Sequence, residues 1–198
     1  GYDLQGNRTR LTTPAGETLY EYDARNQPHT ATAAGDSTTF VRRLDGLIDE
    51  ERRPNGLLTE IAYEDTRRVD DITHRTDVGE ILSRHSYDYD HDGNRTREVA
   101  RLGAETQTTF YDYDAIARLH AYTVVDGEVE LGAPEIEAGL RTTYEYAGYD
   151  RISEIVSVGP SQVLARDYTH DAYGRMRSVV ELEGSVSHTL SLEYDDAG

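Results

Sequence analysis

One motif recurs along this chain: aromatic, any residue, Tyr, Asp, two free positions, Gly, then Asn or Arg. Its fullest copy reads Tyr87-Asp88-Tyr89-Asp90-His91-Asp92-Gly93-Asn94-Arg95. Taking the second aromatic as the marker, copies fall at Tyr2, Tyr22, Arg42, Tyr63, Tyr89, Tyr113, Tyr146, His170 and Tyr194. The Arg42 copy is degenerate and is found by spacing alone. Self-similarity at this period limits the fold to an array of stacked units, and a stack makes a surface or a wall more readily than one active site.

Each column of the motif has a physical reason. Aromatics at i and i+2 share one face of a strand, as in Tyr20/Tyr22, Tyr87/Tyr89, Tyr111/Tyr113 and Tyr144/Tyr146, with Tyr63, Tyr168 and Tyr194 in the same columns. Thr two residues earlier continues that face and suits strand geometry. The following acid, at Asp3, Asp23, Asp90, Asp114 and Asp171, can bond backbone amides ahead of it and start a turn. Gly6, Gly93, Gly174 and Gly198 then supply a positive φ. A second strand follows, as at Leu119–Tyr122 or Ile152–Val158. The expected fold is all-β: tandem antiparallel hairpins in one continuous curved or spiralling sheet, a segment of a β-shell or barrel. The Tyr columns are expected to form ladders on one face, where truncating a fully buried Tyr113 to Ala would cost about 3–5 kcal/mol.

Helical periodicity is nearly absent. The single weak candidate, Val129–Leu140, contains Gly132 and Pro134, so residues 126–140 are expected to be an excursion loop inside the longest unit. The chain opens on one motif and closes within another. Residues 1–198 therefore read as a single segment of about nine repeats cut at both ends, expected to be poorly soluble or self-associating alone because its terminal strands lack neighbours.

There is no Trp, no Cys and one Met, against 15 Tyr, so the units must stack on rings that carry hydroxyls. Thiolate chemistry and disulfides are excluded. All 20 basic residues are Arg, which favours ordered pairing with carboxylates. A net charge of −18 argues against nucleic acid as partner, and no run of 18 apolar residues argues for membrane insertion.

Several apparent sites dissolve into the repeat. Asp88, Asp90, Asp92 and Gly93 mimic the opening of an EF-hand, but position 12 is Val99 and the flanks read as strands. His29, His74, His85, His91, His120, His170 and His188 are scattered without ligand spacing. Ser, His and Asp occur without a nucleophile elbow, and Gly184-Ser185 sits where a hairpin turn is expected. Asp70/Asp71 and Asp195/Asp196 read as solvated pairs. Asn7-Arg8-Thr9 and Asn94-Arg95-Thr96 are formal glycosylation sequons that copy the repeat turn. No catalytic residue, no metal ligand and no cofactor is assigned, and the chain is expected not to be an enzyme.

The Tyr-x-Tyr-Asp-x-x-Gly-Asn/Arg-x-Thr units resemble the YD repeat of the rearrangement-hotspot (Rhs) family across essentially the whole chain. The resemblance implies a β-sheet spiral. In bacterial Rhs toxins and insecticidal toxin-complex C components such a spiral closes into a shell around a C-terminal toxin, and in teneurins a similar barrel serves adhesion. The family's Asp-Pro self-cleavage pattern is absent here, so that site is not carried over. The resemblance implies a non-enzymatic wall enclosing a toxin or other cargo, with an extracellular adhesion or fibre module that binds carbohydrate or protein as the alternative. Implied partners are the rest of a longer polypeptide, an enclosed toxin domain, and a companion shell or secretion protein. The implied setting is secreted or at a bacterial cell surface.

Overall fold

The computed structural model describes residues 1–194; Asp195, Asp196 and Gly198, named above, lie outside the described residues. The strands are short and joined in chain order, because a turn with a residue of positive φ reverses the chain before a strand exceeds ten residues. They form one antiparallel sheet in which hydrogen-bonded neighbours are sequence neighbours.

Two compact units are distinguished, one of Gly1–Tyr87 with Ala100–Ala104, the other of Asp88–Val99 with the chain from Glu105 onward. The first contains β1 (Arg10–Thr13), β2 (Gly16–Tyr22), β3 (Pro28–Ala33), β4 (Asp36–Arg42), β5 (Ile48–Arg52), β6 (Leu58–Tyr63), β7 (Val69–Arg75) and most of β8 (Ile81–Tyr89). Strand β9 (Arg95–Leu102) has residues in both. The second contains β10 (Glu105–Tyr113), β11 (Leu119–Asp126), the one-turn helix α1 (Glu135–Ala138), β12 (Leu140–Ala147), β13 (Asp150–Val158), β14 (Ser161–His170), β15 (Met176–Glu183) and β16 (Val186–Ser191). The expected all-β hairpin array with almost no helix is what folds.

Among the described residues, nine turns share one backbone pattern. They are Asp3–Asn7, Asp23–Gln27, Arg43–Leu47, Arg53–Leu57, Glu64–Arg68, Thr76–Glu80, Asp90–Asn94, Asp114–Arg118 and Asp171–Arg175. In each, the first N–H donates to the fifth carbonyl at 2.8–3.0 Å, and the fourth N–H donates to the first carbonyl at 2.9–3.2 Å. The fourth residue has positive φ in all nine, including three that are not Gly: Arg67 at 68°, Ala117 at 61° and Asn26 at 66°. The Gly column of the motif is thus a backbone requirement. Asn meets it readily, and Arg and Ala meet it under strain.

The marker count does not reach two of these turns, Arg53–Leu57 and Thr76–Glu80. They follow Arg52 and Arg75, not Tyr, and carry no acid in first place. The Tyr146 copy departs in the opposite way. Ala147 replaces its acid, and the chain reverses in a tight turn at Gly148-Tyr149.

A register shift also recurs. Tyr22, Arg42, Tyr63, Tyr113 and His170 pair with Pro28, Ile48, Val69, Leu119 and Met176, while the residue before each marker pairs two places further on. One residue therefore bulges opposite each marker: His29, Asp49, Asp70, His120 and Arg177.

The apolar core is small. Phe110, Val125 and Val129 are buried, with Ala133 and Ile136 packed against them. Phe110 and Val125 lie on the face opposite Tyr111 and Tyr113, by alternation along β10 and the register Phe110↔Thr123. The segment between β11 and β12, which contains α1, covers that face. Buried Thr does much of the remaining filling: Thr108, Thr123 and Thr142 are at most 2 % exposed.

Candidate functional site

The Tyr face and the turns that border it carry a repeated set of side-chain contacts. The acid that begins a turn is a cap. In Asp3, Asp23, Asp114 and Asp171 one carboxylate oxygen accepts N–H bonds from the residues two and four ahead, at 2.8–3.0 Å. Asp90 takes the N–H of Asn94 at 2.8 Å. The other oxygen is taken by the side chain in fifth place: Asn7 (2.8 Å), Asn94 (2.9 Å), Arg118 (2.6 Å) and Arg175 (2.8 Å). Glu64 holds Arg68 in the same way. This explains the Asn/Arg column, whose reason the sequence did not disclose. It also explains why Asn7 and Asn94, the two sequon asparagines, have their amides committed.

These bonds hold the turn carboxyls below the ordinary carboxylate range. The Asn7 and Asn94 amides act chiefly at Asp3 and Asp90, and the backbone N–H groups of Gln27 and Arg118 at Asp23 and Asp114. A carboxyl with a depressed folded pKa contributes stability that is present above its unfolded value, near pH 4, and is lost as pH falls through the folded one. The array should therefore keep its strand signal down to about pH 4 and loosen below it. Asp114→Asn, followed by circular dichroism across that range, should flatten the acid limb. An unchanged acid limb in this variant would remove the cap from the account.

The fifth-place Arg reaches the next copy. Arg118 lies over the Tyr146 ring at 4.2 Å, and Arg175 over Tyr194 at 4.5 Å. Arg43 stands over Tyr63 at 5.6 Å. Such contacts contribute about 0.5–1 kcal/mol each at exposed sites. Marker hydroxyls reach the same way: Tyr22 donates to the carbonyl of Arg8 (3.0 Å), Tyr63 to Ile48 (2.9 Å), Tyr146 to Leu119 (2.8 Å) and Tyr194 to Met176 (2.8 Å). Each acceptor lies six residues after the preceding marker, and in the last three it directly precedes a bulged residue, where the ladder is interrupted. Turns on this side also bond one another: Arg25 to the carbonyls of Arg43 (2.9 Å) and Leu44 (3.0 Å), Arg67 to Asp45 (3.1 Å), and Arg118 to Gly148.

The Tyr columns do share a face, but on alternate strands. Tyr20 pairs with Ala31, which pairs with Thr38; Tyr144 pairs with Glu154, which pairs with Arg166. The residues between the columns vary, Ala31 and Thr38 beside Tyr20, Tyr122 beside Tyr111, and Glu154 and Arg166 beside Tyr144. The Arg151 guanidinium lies 5.2 Å from the Tyr144 ring and 4.7 Å from Tyr168. Glu154 binds Arg166 at 2.8 Å and accepts the Tyr168 hydroxyl at 3.2 Å. Tyr111 donates to Glu98 at 3.0 Å, and burial together with that carboxylate pushes its phenol up to about 12. Burial leads the rise at Tyr63, Tyr113, Tyr144 and Tyr168. Tyr168 is buried, Tyr194 is exposed, and Tyr20, Tyr22, Tyr63, Tyr87, Tyr89, Tyr111, Tyr113, Tyr144 and Tyr146 are half-buried. Tyr113→Ala is accordingly expected to cost less than the full-burial figure.

The EF-hand mimic is drawn apart by the strand: Asp88 pairs with Arg97 at 3.1 Å and Asp90 with Asn94, and among the described residues no three His or acid side chains gather as a metal site. Asp71 binds Thr73, Arg84 and Ser86, and no described helix is long and apolar enough to cross a membrane.

The family model described as RHS Repeat matches residues 2–39. Residues 2–39 thus carry the sequence pattern of an Rhs repeat. The same turn then recurs down to Asp171–Arg175. Two crystal structures share its fold. One is TcdB2-TccC3-Cdc42, 15 % identical with a TM-score of 0.68 over 96 % of this chain. The other is TcdB2-TccC3 without the hypervariable C-terminal region, 19 % identical with a TM-score of 0.70 over 91 %. This chain spans only 12 % and 10 % of those chains. No curated protein matches its sequence.

Proposed function

We propose that this Rhs-repeat segment is non-catalytic wall: part of a β-shell that encloses a toxin or other cargo belonging to the same longer polypeptide, in a secreted bacterial protein. The observation that carries the reading is the unit-to-unit relay of Asp, Arg and Tyr. Its polar groups are spent on one another, turn after turn, rather than converging on a point where a substrate could be held. A paired sheet offers few free backbone groups to a protease. A face of Tyr, Arg and acid would give an enclosed chain little apolar surface to fold against. The fold shared with TcdB2-TccC3 supports the same reading. Limited proteolysis of the full-length parent tests it. Protection of the region after the repeats, lost only when the repeats themselves are cut or denatured, is the expected result. Ready digestion of that region while the repeats stay intact would overturn enclosure and leave an adhesion or fibre module in its place.

A further inference from the structure

Tyr122 on β11 and Tyr144 on β12 have ring centroids 6.3 Å apart at an interplanar angle of 40°. They are diagonal neighbours on one face, since Tyr122 pairs directly with Thr142. The ladder they bridge is short, with four pairs from Ala121↔Thr143 to Val124↔Leu140, and the chain between its strands makes the excursion that contains α1. The composition removes the usual competitors for a one-electron oxidant: no Cys, no Trp and a single Met beside 15 Tyr. We infer that Tyr122 and Tyr144 are a dityrosine cross-linking site, which an activated peroxide joins to staple β11 to β12 across the excursion.

The chemistry balances. Each phenol gives up one electron and one proton. The two radicals join ortho carbon to ortho carbon, and the ring hydrogens displaced there return as the two phenolic protons. The two electrons and two protons reduce one peroxide to two waters. Ring separation this small is reached by rotation about side-chain bonds, without strand movement, because both rings stand on the same face of adjacent strands. The Arg151 guanidinium lies 5.2 Å from the Tyr144 ring. Exposed tyrosines such as Tyr149 and Tyr173, at 89 % and 85 %, lie on turns with no such neighbour placed against them by the ladder.

The test treats the folded chain, at low concentration, with hydrogen peroxide and a haem peroxidase. The expected product is monomer-sized, shows dityrosine fluorescence, and on digestion gives a Tyr122 peptide joined to a Tyr144 peptide, two hydrogens lighter than their sum. Tyr122→Phe and Tyr144→Phe should each abolish that species, and Tyr173→Phe should leave it. In urea the pair should no longer form. Peptide mapping of the unmodified sequence decides the matter even if a variant folds poorly. Cross-links that map to other tyrosines, that join separate chains only, or that form between Tyr122 and Tyr144 equally well in urea would overturn the inference.

Discussion

Replacing Phe110 with Ala should destabilise the second unit by about 3–5 kcal/mol, the usual cost of emptying a buried aromatic site. Phe110 is 7 % exposed and is the one large ring in a core otherwise made of Val125, Val129, Ala133 and Ile136. The cavity cannot close by sliding the strand, because β10 is held on β11 over seven paired positions. What can give way is the excursion, which rests on the ring from outside. The expected signature in denaturant is therefore a lower midpoint together with early proteolytic cleavage between Gly127 and Gly139. A midpoint unchanged within error would mean that the covering segment contributes nothing to the unit.

Thr108→Val should cost about 2–4 kcal/mol although it preserves shape, since it removes two hydrogen bonds and leaves the Val129 N–H and the Gly127 carbonyl without that partner. The Thr108 hydroxyl donates to the Gly127 carbonyl at 2.7 Å and accepts the Val129 N–H at 3.0 Å, at a side chain with no exposure. A valine side chain can serve neither group. Thermal unfolding of the variant checks this, and Thr108→Ser, which keeps the hydroxyl, should recover most of the loss. If the Thr108→Val variant melted like the parent, water would have to reach Gly127 and Val129, and the segment would be looser than described. These two changes, one apolar and one polar, probe the same seam from different sides, so their effects should fall short of additive.

Strand, turn and face were legible in the residues because they are local. Tyr111-x-Tyr113 sets a face by alternation, and Asp114 followed by a left-handed residue sets a turn within five positions. Two things were not legible. Arg53–Leu57 and Thr76–Glu80 fold into the same turn without the acid or the Tyr, on Gly56 and Gly79 with caps of other chemistry: Asn55 accepts the Leu57 N–H and Thr76 the Glu80 N–H, each at 3.1 Å. The purpose of the Asn/Arg column was hidden for another reason: Arg118 answers to Asp114 four residues back and also to Tyr146 on a later strand, 28 positions away in sequence, and a pattern read one copy at a time does not reach that far. The alternate-strand spacing of the Tyr columns was hidden by the same cause, since Ala31 and Glu154, which stand between columns, carry no motif.

The two ends of the strands do not tolerate change equally. At the end bearing Asp3–Asn7, Asp23–Gln27, Arg43–Leu47 and Glu64–Arg68, the turns have one length and are bonded to one another through Arg25 and Arg67. At the opposite end of the same strands the chain reverses in a tight turn at Ala34-Gly35 and in five-residue turns at Arg53–Leu57 and Thr76–Glu80. In the second unit the corresponding end holds a tight turn at Gly184-Ser185 and the whole excursion between β11 and β12. Lengthening a closed loop costs only about 0.6 kcal/mol per doubling where nothing else is tied to it. New sequence can therefore be grafted, by evolution or by design, at Gly103-Ala104 or Gly184-Ser185 with little penalty, whereas the same graft at Asp114–Arg118 would sever a bond to the next copy. The array has a margin that keeps its pitch and a margin that is free to vary.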